Sequence, residues 1–455
     1  MVAKWRAVVK KLSPGLRKIL GNLGWLFAER LLTMIVAFGV GVYVIKYLGP
    51  ENFGKLSYST SFVALFGAIS GLGLNGIVVR NLVQEEKANP EILGTAFLLK
   101  LMASFATIIL IGWANWWFNS QADTRFMVFV IAFGLLFSAF DVIEFWFQSQ
   151  VLSGIIAIAR SVQLILNSLV KVLLVAFQLP LMAFVWLLLA DQFIKMLGML
   201  WVYYQQNQHL MQWRFNWSKG IEMLTDSWPL MLTAVTITIY MKIDQLMLGN
   251  MASIKAIGNY SVAVVFSEIW YFIPMAVCSS VFPAILRAKQ RSKSECYARL
   301  QQLYDTMAWL AILIAVPMTI FSVPLIVNLL GQEYAEAGKI LAWHIWAGPF
   351  VFLGVGRSYW LVAENMNQFH FLSTALGAVV NIGLNFLLIP PYSGVGAAIA
   401  TAISQALACY FSMLLYPATF EMGLMLTKAL FIPFRYQQNL IYMRQLKKII
   451  YSPSK

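Results

Sequence analysis

Charge is scarce in this chain: Asp and Glu together number 19, and the four charged residue types make up 11% of 455 residues. Soluble domains carry about 25% charged residues, so a water-exposed globule is excluded. Cysteine is scarcer still, with Cys278, Cys296 and Cys409 scattered along the chain. Three isolated thiols form neither a disulfide framework nor a Cys-x-x-Cys metal pattern. His209, His344 and His370 have no ligand partner at helical spacing, and His344 and His370 read as packing or polar-lining side chains, so no metal site is expected. A phosphate-binding loop with its Lys-Ser/Thr ending is missing, as are a Ser-His-Asp set and an acidic loop outside the apolar runs. An enzyme is not expected, and no cofactor is implied.

What is abundant is hydrocarbon: 60% of residues are hydrophobic and the mean hydropathy is +0.72. Apolar runs of roughly 20 residues, enough to cross a hydrocarbon core of about 30 Å, recur along the chain. They predict twelve spans, at 22–46, 57–80, 93–117, 126–147, 154–178, 181–204, 227–249, 258–284, 303–331, 339–362, 366–389 and 394–416. The expected fold class is therefore all-α integral membrane protein. The first run follows Lys4, Arg6, Lys10, Lys11, Arg17 and Lys18 but is too long for a signal-peptide core and lacks an Ala-x-Ala-like site, so it reads as a retained helix. The formal net charge of +14 need not mean nucleic acid. Lys and Arg concentrate at the N-terminus, in the alternate loops holding Arg80, Arg214 and Arg287–Arg299, and after Ala418. That is the positive-inside pattern of a multi-pass membrane protein with both termini cytoplasmic. Trp113, Trp116 and Trp117, and at the other face Trp201, Tyr203 and Tyr204, read as interfacial anchors. After Pro417, "EMGLMLTKALFIPF" is short for a span and precedes a basic tail, so an interfacial helix is expected there.

The chain repeats itself. "KYLGPENFGKLSYSTSFVALF" (Lys46 to Phe66) returns as "LMLGNMASIKAIGNYSVAVVF" (Leu246 to Phe266), setting Gly54 on Gly258, Ser57 on Ser261 and Phe62 on Phe266. "LILNSLVKVLLV" in the fifth span matches "AVVNIGLNFLLI" in the eleventh, placing Asn167 on Asn381 and Lys171 on Asn385, and Gln192 then falls on Gln405. The halves are expected at 22–204 and 227–416, with a basic N-terminus at 1–21, a cytoplasmic link at 205–226 and a basic cytoplasmic or interfacial tail at 417–455. Six spans is an even number, so the copies share one orientation, as in transporters built from parallel repeats.

Ionised groups within spans cost roughly 2.5 to 3.5 kcal/mol each, so each asks for a partner or a purpose. Arg30, Lys100 and Arg160 lie at similar depth, about 10 Å inside the cytoplasmic end at 1.5 Å per residue, with Lys171 deeper. One reading has these four cations lining a hydrated cavity for an anionic substrate such as a pyrophosphate head group. The other has them internally paired, Asp141 or Glu144 reaching across to the fifth span. Asp191 and Lys195, one turn apart, read as a structural pair. Asp244 and Glu268 are candidates for coupling to a proton or sodium ion, with structural capping open for Asp244. Arg357 reads as a snorkelling side chain.

Arg30 leading to "YLGPENFGKLSYSTSFVALF", the second-span ending "GLGLNGIVVR", and "IDQLMLGNMASIKAIGNYSVAVVF" followed by "FPAIL" resemble the Wzx-type polysaccharide flippases of the multidrug/oligosaccharidyl-lipid/polysaccharide exporter superfamily. The likeness runs from about Leu20 to Pro417. It implies a MATE-like arrangement of two six-helix lobes in a bacterial inner membrane. It also implies transfer of a polyprenyl-diphosphate-linked oligosaccharide from the cytoplasmic to the outer leaflet, with membrane lipids and polysaccharide polymerase machinery as the other partners. Arg30 matches the first-helix arginine expected to contact the pyrophosphate. Open beside this are an ion-coupled drug or metabolite exporter of the same superfamily, a peptidoglycan lipid-precursor flippase, expected to carry two further helices, and a membrane scaffold.

Overall fold

In the computed structural model the backbone is described for residues 14–85, 88–118 and 121–451, and side chains within those ranges from Thr33 to Arg444, Ser153 and Met443 excepted. The regular structure of the described residues is entirely helical, with no strand. In chain order the α-helices are α1 (Pro14–Ser70), α2 (Leu74–Gln84), α3 (Asn89–Phe118), α4 (Ala122–Ser138), α5 (Val142–Ser149), α6 (Ser153–Ala176), α7 (Leu181–Gln205), α8 (Trp217–Met251) and α9 (Ile254–Glu268). They continue as α10 (Phe272–Arg291), α11 (Lys293–Leu330), α12 (Ala335–His344), α13 (Ala347–Ala363), α14 (Asn367–Ala406), α15 (Ser412–Leu415), α16 (Phe420–Leu430) and α17 (Tyr436–Tyr451).

Among the described residues nine helices are long and apolar enough to cross a membrane, ten if the bent pair α12–α13 is one span. Two of them are double-length. The 52-residue run Thr33–Gln84 contains Gly49 at φ 69°, and the 49-residue run Asn367–Leu415 contains Ser393 at φ 50°. Each break carries proline, Pro50 after Gly49 and Pro390–Pro391 before Ser393, which removes backbone donors and bends the chain. Split at these elbows, the helices accommodate the twelve predicted spans.

The interruptions also recur in matching spans. The second span breaks at Gly71–Gly73 and its repeat partner, the eighth, at the 3-10 turn Ile269–Tyr271. The fourth breaks at the 3-10 turn Ala139–Asp141 and the tenth at Ile345–Trp346.

The chain forms two compact units, one of residues 1–48 and 59–235, the other of 49–58 and 236–455. The first packs Leu74, Val78 and Leu82 of α2 on Ile92 and Leu93 of α3, Val142 and Phe147 of α5, and Met199 of α7. Residues of the 205–226 link are fastened to this unit. Trp213 Nε1 donates to the Tyr203 hydroxyl at 3.1 Å, Asn216 Nδ2 to Glu91 at 3.0 Å, and Arg80 reaches Asp226 at 2.5 Å. The second unit has its core where α10, α11, α13 and α16 meet, around Ile285, Leu300, Tyr304, Phe352, Leu361 and Leu426.

Within the second unit the two copies of the repeat touch. A methyl on Gly54 would overlap the Ile254 carbonyl, and one on Gly258 would overlap the Pro50 carbonyl. Only hydrogen allows these backbones to approach so closely. The two glycines that the alignment sets on each other therefore form one contact.

One face of α16 is inside the second unit's core, with Met422, Leu426 and Ala429 buried, while Phe420, Leu424, Phe431 and Phe434 are exposed. Beyond it the chain is latched to Asp305, whose side chain is fully buried. Arg435 Nη1 donates to both carboxylate oxygens at 3.0 and 3.2 Å, the Tyr442 hydroxyl donates at 2.7 Å, and Gln301 Nε2 at 2.7 Å. Burial and the bond to Asp305 push the Tyr442 phenol up to about 12, so it keeps its donor proton at any physiological pH. Asp305→Ala is expected to free this segment: limited proteolysis should cut between Leu430 and Tyr451 several-fold faster, with the rest of the chain equally resistant. Unchanged cleavage would mean that apolar packing alone holds the tail.

Candidate functional site

Arg160, Gln163, Asn167 and Lys171 are spaced by three, four and four residues, which sets them along one face of α6. Neighbouring helices answer that stripe. Arg160 Nη2 donates to Glu144 Oε1, which also accepts from Gln148 Nε2 at 3.1 Å. Gln163 Nε2 donates to the Asp191 carboxylate at 3.0 Å and to its backbone carbonyl at 3.1 Å. Lys195 Nζ donates to Asp141 Oδ1 at 2.8 Å, and Lys100 Nζ stands 3.9 Å from the other oxygen of the same carboxylate, over the Phe145 ring. Asp141 ends the 3-10 turn that interrupts the fourth span and Glu144 lies in the first turn of α5, so the break presents both acids to α6 and α7. The result is a ladder of charges through the first unit.

The ladder corrects one expectation. Lys195 turns to Asp141, and Asp191 takes Gln163 instead, so Asp191 and Lys195 are not paired. A lysine at this depth gains more from a direct 2.8 Å contact across helices than from a same-helix neighbour, which is worth only about 0.2–0.5 kcal/mol. For Arg160 the internal pairing left open by the sequence is the one formed. Its side chain is nevertheless 51% exposed, whereas that of Lys100 is 4% exposed. Arg160 can meet a ligand; Lys100 is sealed in. Among the described residues no carboxylate lies within 4 Å of Lys171. Arg30 lies within α1, but its side chain is outside the described ones, which begin at Thr33.

The second unit holds a cavity of about 250 Å³ bordered by Asp244, Tyr260, Glu268, His344, Arg357 and His370 among others. Asp244 is caged: Asn385 Nδ2 donates to Oδ1 at 2.6 Å, while the hydroxyls of Tyr260 and Thr401 donate to Oδ2 at 2.5 and 2.7 Å. Asn385 also donates to Asn381 Oδ1 at 3.3 Å, and its own Oδ1 and the Asn381 Nδ2 are buried without a partner. Glu268 closes α9, immediately before the break in the eighth span. Arg357 does not snorkel. It is 1% exposed and donates to the Ala408 carbonyl, to Ser373 at 3.2 Å and to Ser412 at 3.4 Å, with His370 Nδ1 also 3.2 Å away. Ala408 lies in a π-helical turn, Leu407–Phe411. Such a turn disturbs the helix's own bonding, and Arg357 takes up a carbonyl there. Sequence reasoning passed over Asn385, although the repeat had set it on Lys171. Tyr260 and Thr401 carried no such signal, because a lone hydroxyl in a span is ordinary. Among the described residues no group of three His, Cys, Asp or Glu is placed to hold a metal ion.

Residues 19–289, more than half of the chain, match the family described as polysaccharide biosynthesis protein. The chain belongs to that family. The capsular polysaccharide biosynthesis protein CapF of Staphylococcus aureus is 20% identical over 396 residues, covering 85% of this chain and 96% of CapF. The probable flippase AglR of Haloferax volcanii is 22% identical over 419 residues, covering 86% of this chain and 82% of AglR. Among solved structures, the lipid II flippase MurJ in an inward closed conformation superposes with a TM-score of 0.68 at 15% identity, covering 94% of this chain and 98% of MurJ. An inward-facing multidrug resistance MATE family transporter of the MOP superfamily gives 0.63 at 12% identity, covering 88% and 94%. At these identities the structural likeness concerns the fold, and the family member has the all-α MATE-like membrane fold that its sequence implied.

Proposed function

We propose that this family member is a flippase that carries a polyprenyl-diphosphate-linked oligosaccharide from the inner to the outer leaflet of a bacterial plasma membrane by alternating access, for surface polysaccharide synthesis. The observation that carries the reading is the ladder in the first unit, where Arg160 stays half exposed at the depth of the span although paired with Glu144. A planar guanidinium matches the paired oxygens of a diphosphate. Lys195 on α7 and Lys171 on the same face of α6 are the further cations of this unit, while Lys100 serves the ladder from behind; Arg30 is assigned to the head group on the family resemblance alone. The probable flippase AglR and the lipid II flippase MurJ favour movement of a lipid-borne cargo. The glycan would cross with the head group while the prenyl chain stays in hydrocarbon.

Asp244 suits ion coupling. Its cage supplies one carboxylate and several neutral oxygens, the donor set a hard monovalent cation takes, and a proton could occupy the same carboxylate; Glu268 shares the cavity. These two acids also favour the second reading, an ion-coupled exporter of small molecules.

The test is translocation of a fluorescent polyprenyl-diphosphate oligosaccharide in proteoliposomes. Wild type is expected to move it, Arg160→Ala to lose at least tenfold in rate while remaining monodisperse, and Asp244→Asn to lose its response to an imposed sodium or proton gradient. A wild type inert toward such lipids but active on organic cations would replace this reading with the exporter.

A further inference from the structure

Between α6 and α7 the first unit has an open groove of about 430 Å³, walled by Ile158, Val162 and Leu166 on one side and Leu197, Gly198 and Trp201 on the other. Apolar walls are unremarkable in a membrane. The anomaly is that Gln163 and Lys195, two members of the charge ladder, stand among the lining, one in each wall. Lys195 is itself 25% exposed and shares Asp141 with Lys100, so this part of the ladder has two lysines on one carboxylate. A bilayer facing the groove would meet a cation, while a free sugar diphosphate would have no use for the hydrocarbon slot. Only an amphiphile with an anionic head satisfies both surfaces at once.

We propose that this groove seats the prenyl segment next to the diphosphate of the lipid-linked cargo, with Lys195 facing the phosphate end; the assignment rests on the flippase reading. The slot follows α6 from Ile155 to Leu166, about 16 Å at 1.5 Å per residue. That length takes a few isoprene units and leaves the remainder of the chain in lipid. Cargo would then be recognised at the junction of head and tail, independently of which sugars it bears. Gly198 marks the empty space, because a Cβ built there meets nothing within 4 Å.

The experiment is photo-labelling of the full-length protein in nanodiscs of phosphatidylethanolamine and phosphatidylglycerol. The probe is a geranylgeranyl diphosphate carrying a diazirine on its first isoprene units, and adducts are mapped by mass spectrometry. Adducts are expected on 155–166 and 194–202. Unlabelled prenyl diphosphate should compete, and added phosphatidylglycerol should not. Gly198→Trp and Val162→Trp, filling the slot from opposite walls, should each cut labelling about tenfold while remaining monodisperse. Lys195→Gln should weaken the diphosphate probe several-fold and leave a prenyl alcohol probe unchanged. Adducts elsewhere, labelling indifferent to both tryptophans, or equal competition by phosphatidylglycerol, the mark of an ordinary lipid crevice, would overturn the assignment. Flipping is measured on the same preparations. A wild type that flips cargo while labelling elsewhere overturns the groove and leaves the flippase reading standing. One that labels here with the expected competition but does not flip has the opposite meaning.

Discussion

Gly258→Val should leave almost no folded protein, and Gly258→Ala should unfold well below wild type. The first methyl at this position already overlaps the Pro50 carbonyl, and the obstacle is backbone rather than a side chain that could rotate away. Overpacking a close contact typically costs about 1–3 kcal/mol. Here both faces are main chain held by neighbouring helices, so the upper end is expected for alanine and more for valine. Gly54→Ala should behave alike, since it meets Ile254 from the other side. Gly76→Ala is the control: its position on α2 is exposed and open, and alanine there gains up to about 1 kcal/mol of helix propensity. Thermal unfolding in detergent separates the cases. Similar melting temperatures for Gly258→Ala and Gly76→Ala would show that the two strands of chain can part without loss.

Asp141→Asn is expected to cost more than any other single change in the ladder. It removes the carboxylate 3.9 Å from Lys100, whose side chain is 4% exposed, and strips Lys195 of its 2.8 Å partner. Removing one partner of a buried ion pair typically costs about 3–5 kcal/mol, because the remaining charge stays behind without compensation. A second change should repair most of this. Lys100→Met in the Asp141→Asn background removes the stranded cation and should recover at least half of the lost stability. Glu144→Gln should cost less than about 1 kcal/mol, since Arg160 is half exposed and can turn to water. Denaturation of the two singles and the double gives the coupling directly; simple additivity of Asp141→Asn and Lys100→Met would mean that the lysine and the carboxylate act independently.

These cases also mark how far the amino-acid order could be read. Long apolar runs revealed the spans, because these depend on local composition, whereas the elbow at Gly49–Pro50 was not singled out. The match of Gly54 with Gly258 revealed the duplication, but that the two glycines pack into one contact is tertiary and was not legible. The ladder was half legible. Charges within spans pointed to Arg160, Lys195 and Asp141, but the choice between Asp191 and Asp141 as partner for Lys195 is tertiary, decided by a 3-10 break that no periodicity announces. Arg357 was misread for a related reason: nothing in its own surroundings reveals the π-helical turn of another helix that meets it. At Asp244 the acid was evident and its cage was not, except for Asn385, which the repeat had placed opposite Lys171.

The ten residues from Gly49 to Tyr58 belong with the second unit although the chain on both sides belongs with the first. On the ribosome this has a cost in time. Gly54 is made about two hundred residues before Gly258, and at roughly 5–20 residues per second the elbow must wait about 10–40 s for the backbone it packs against. Throughout that interval its narrow glycine face is open to other chains and to the insertion machinery. The vulnerable moment in the life of this protein is therefore during its synthesis, and variants of Gly54 or Gly258 should reveal themselves first as nascent chains captured by quality control.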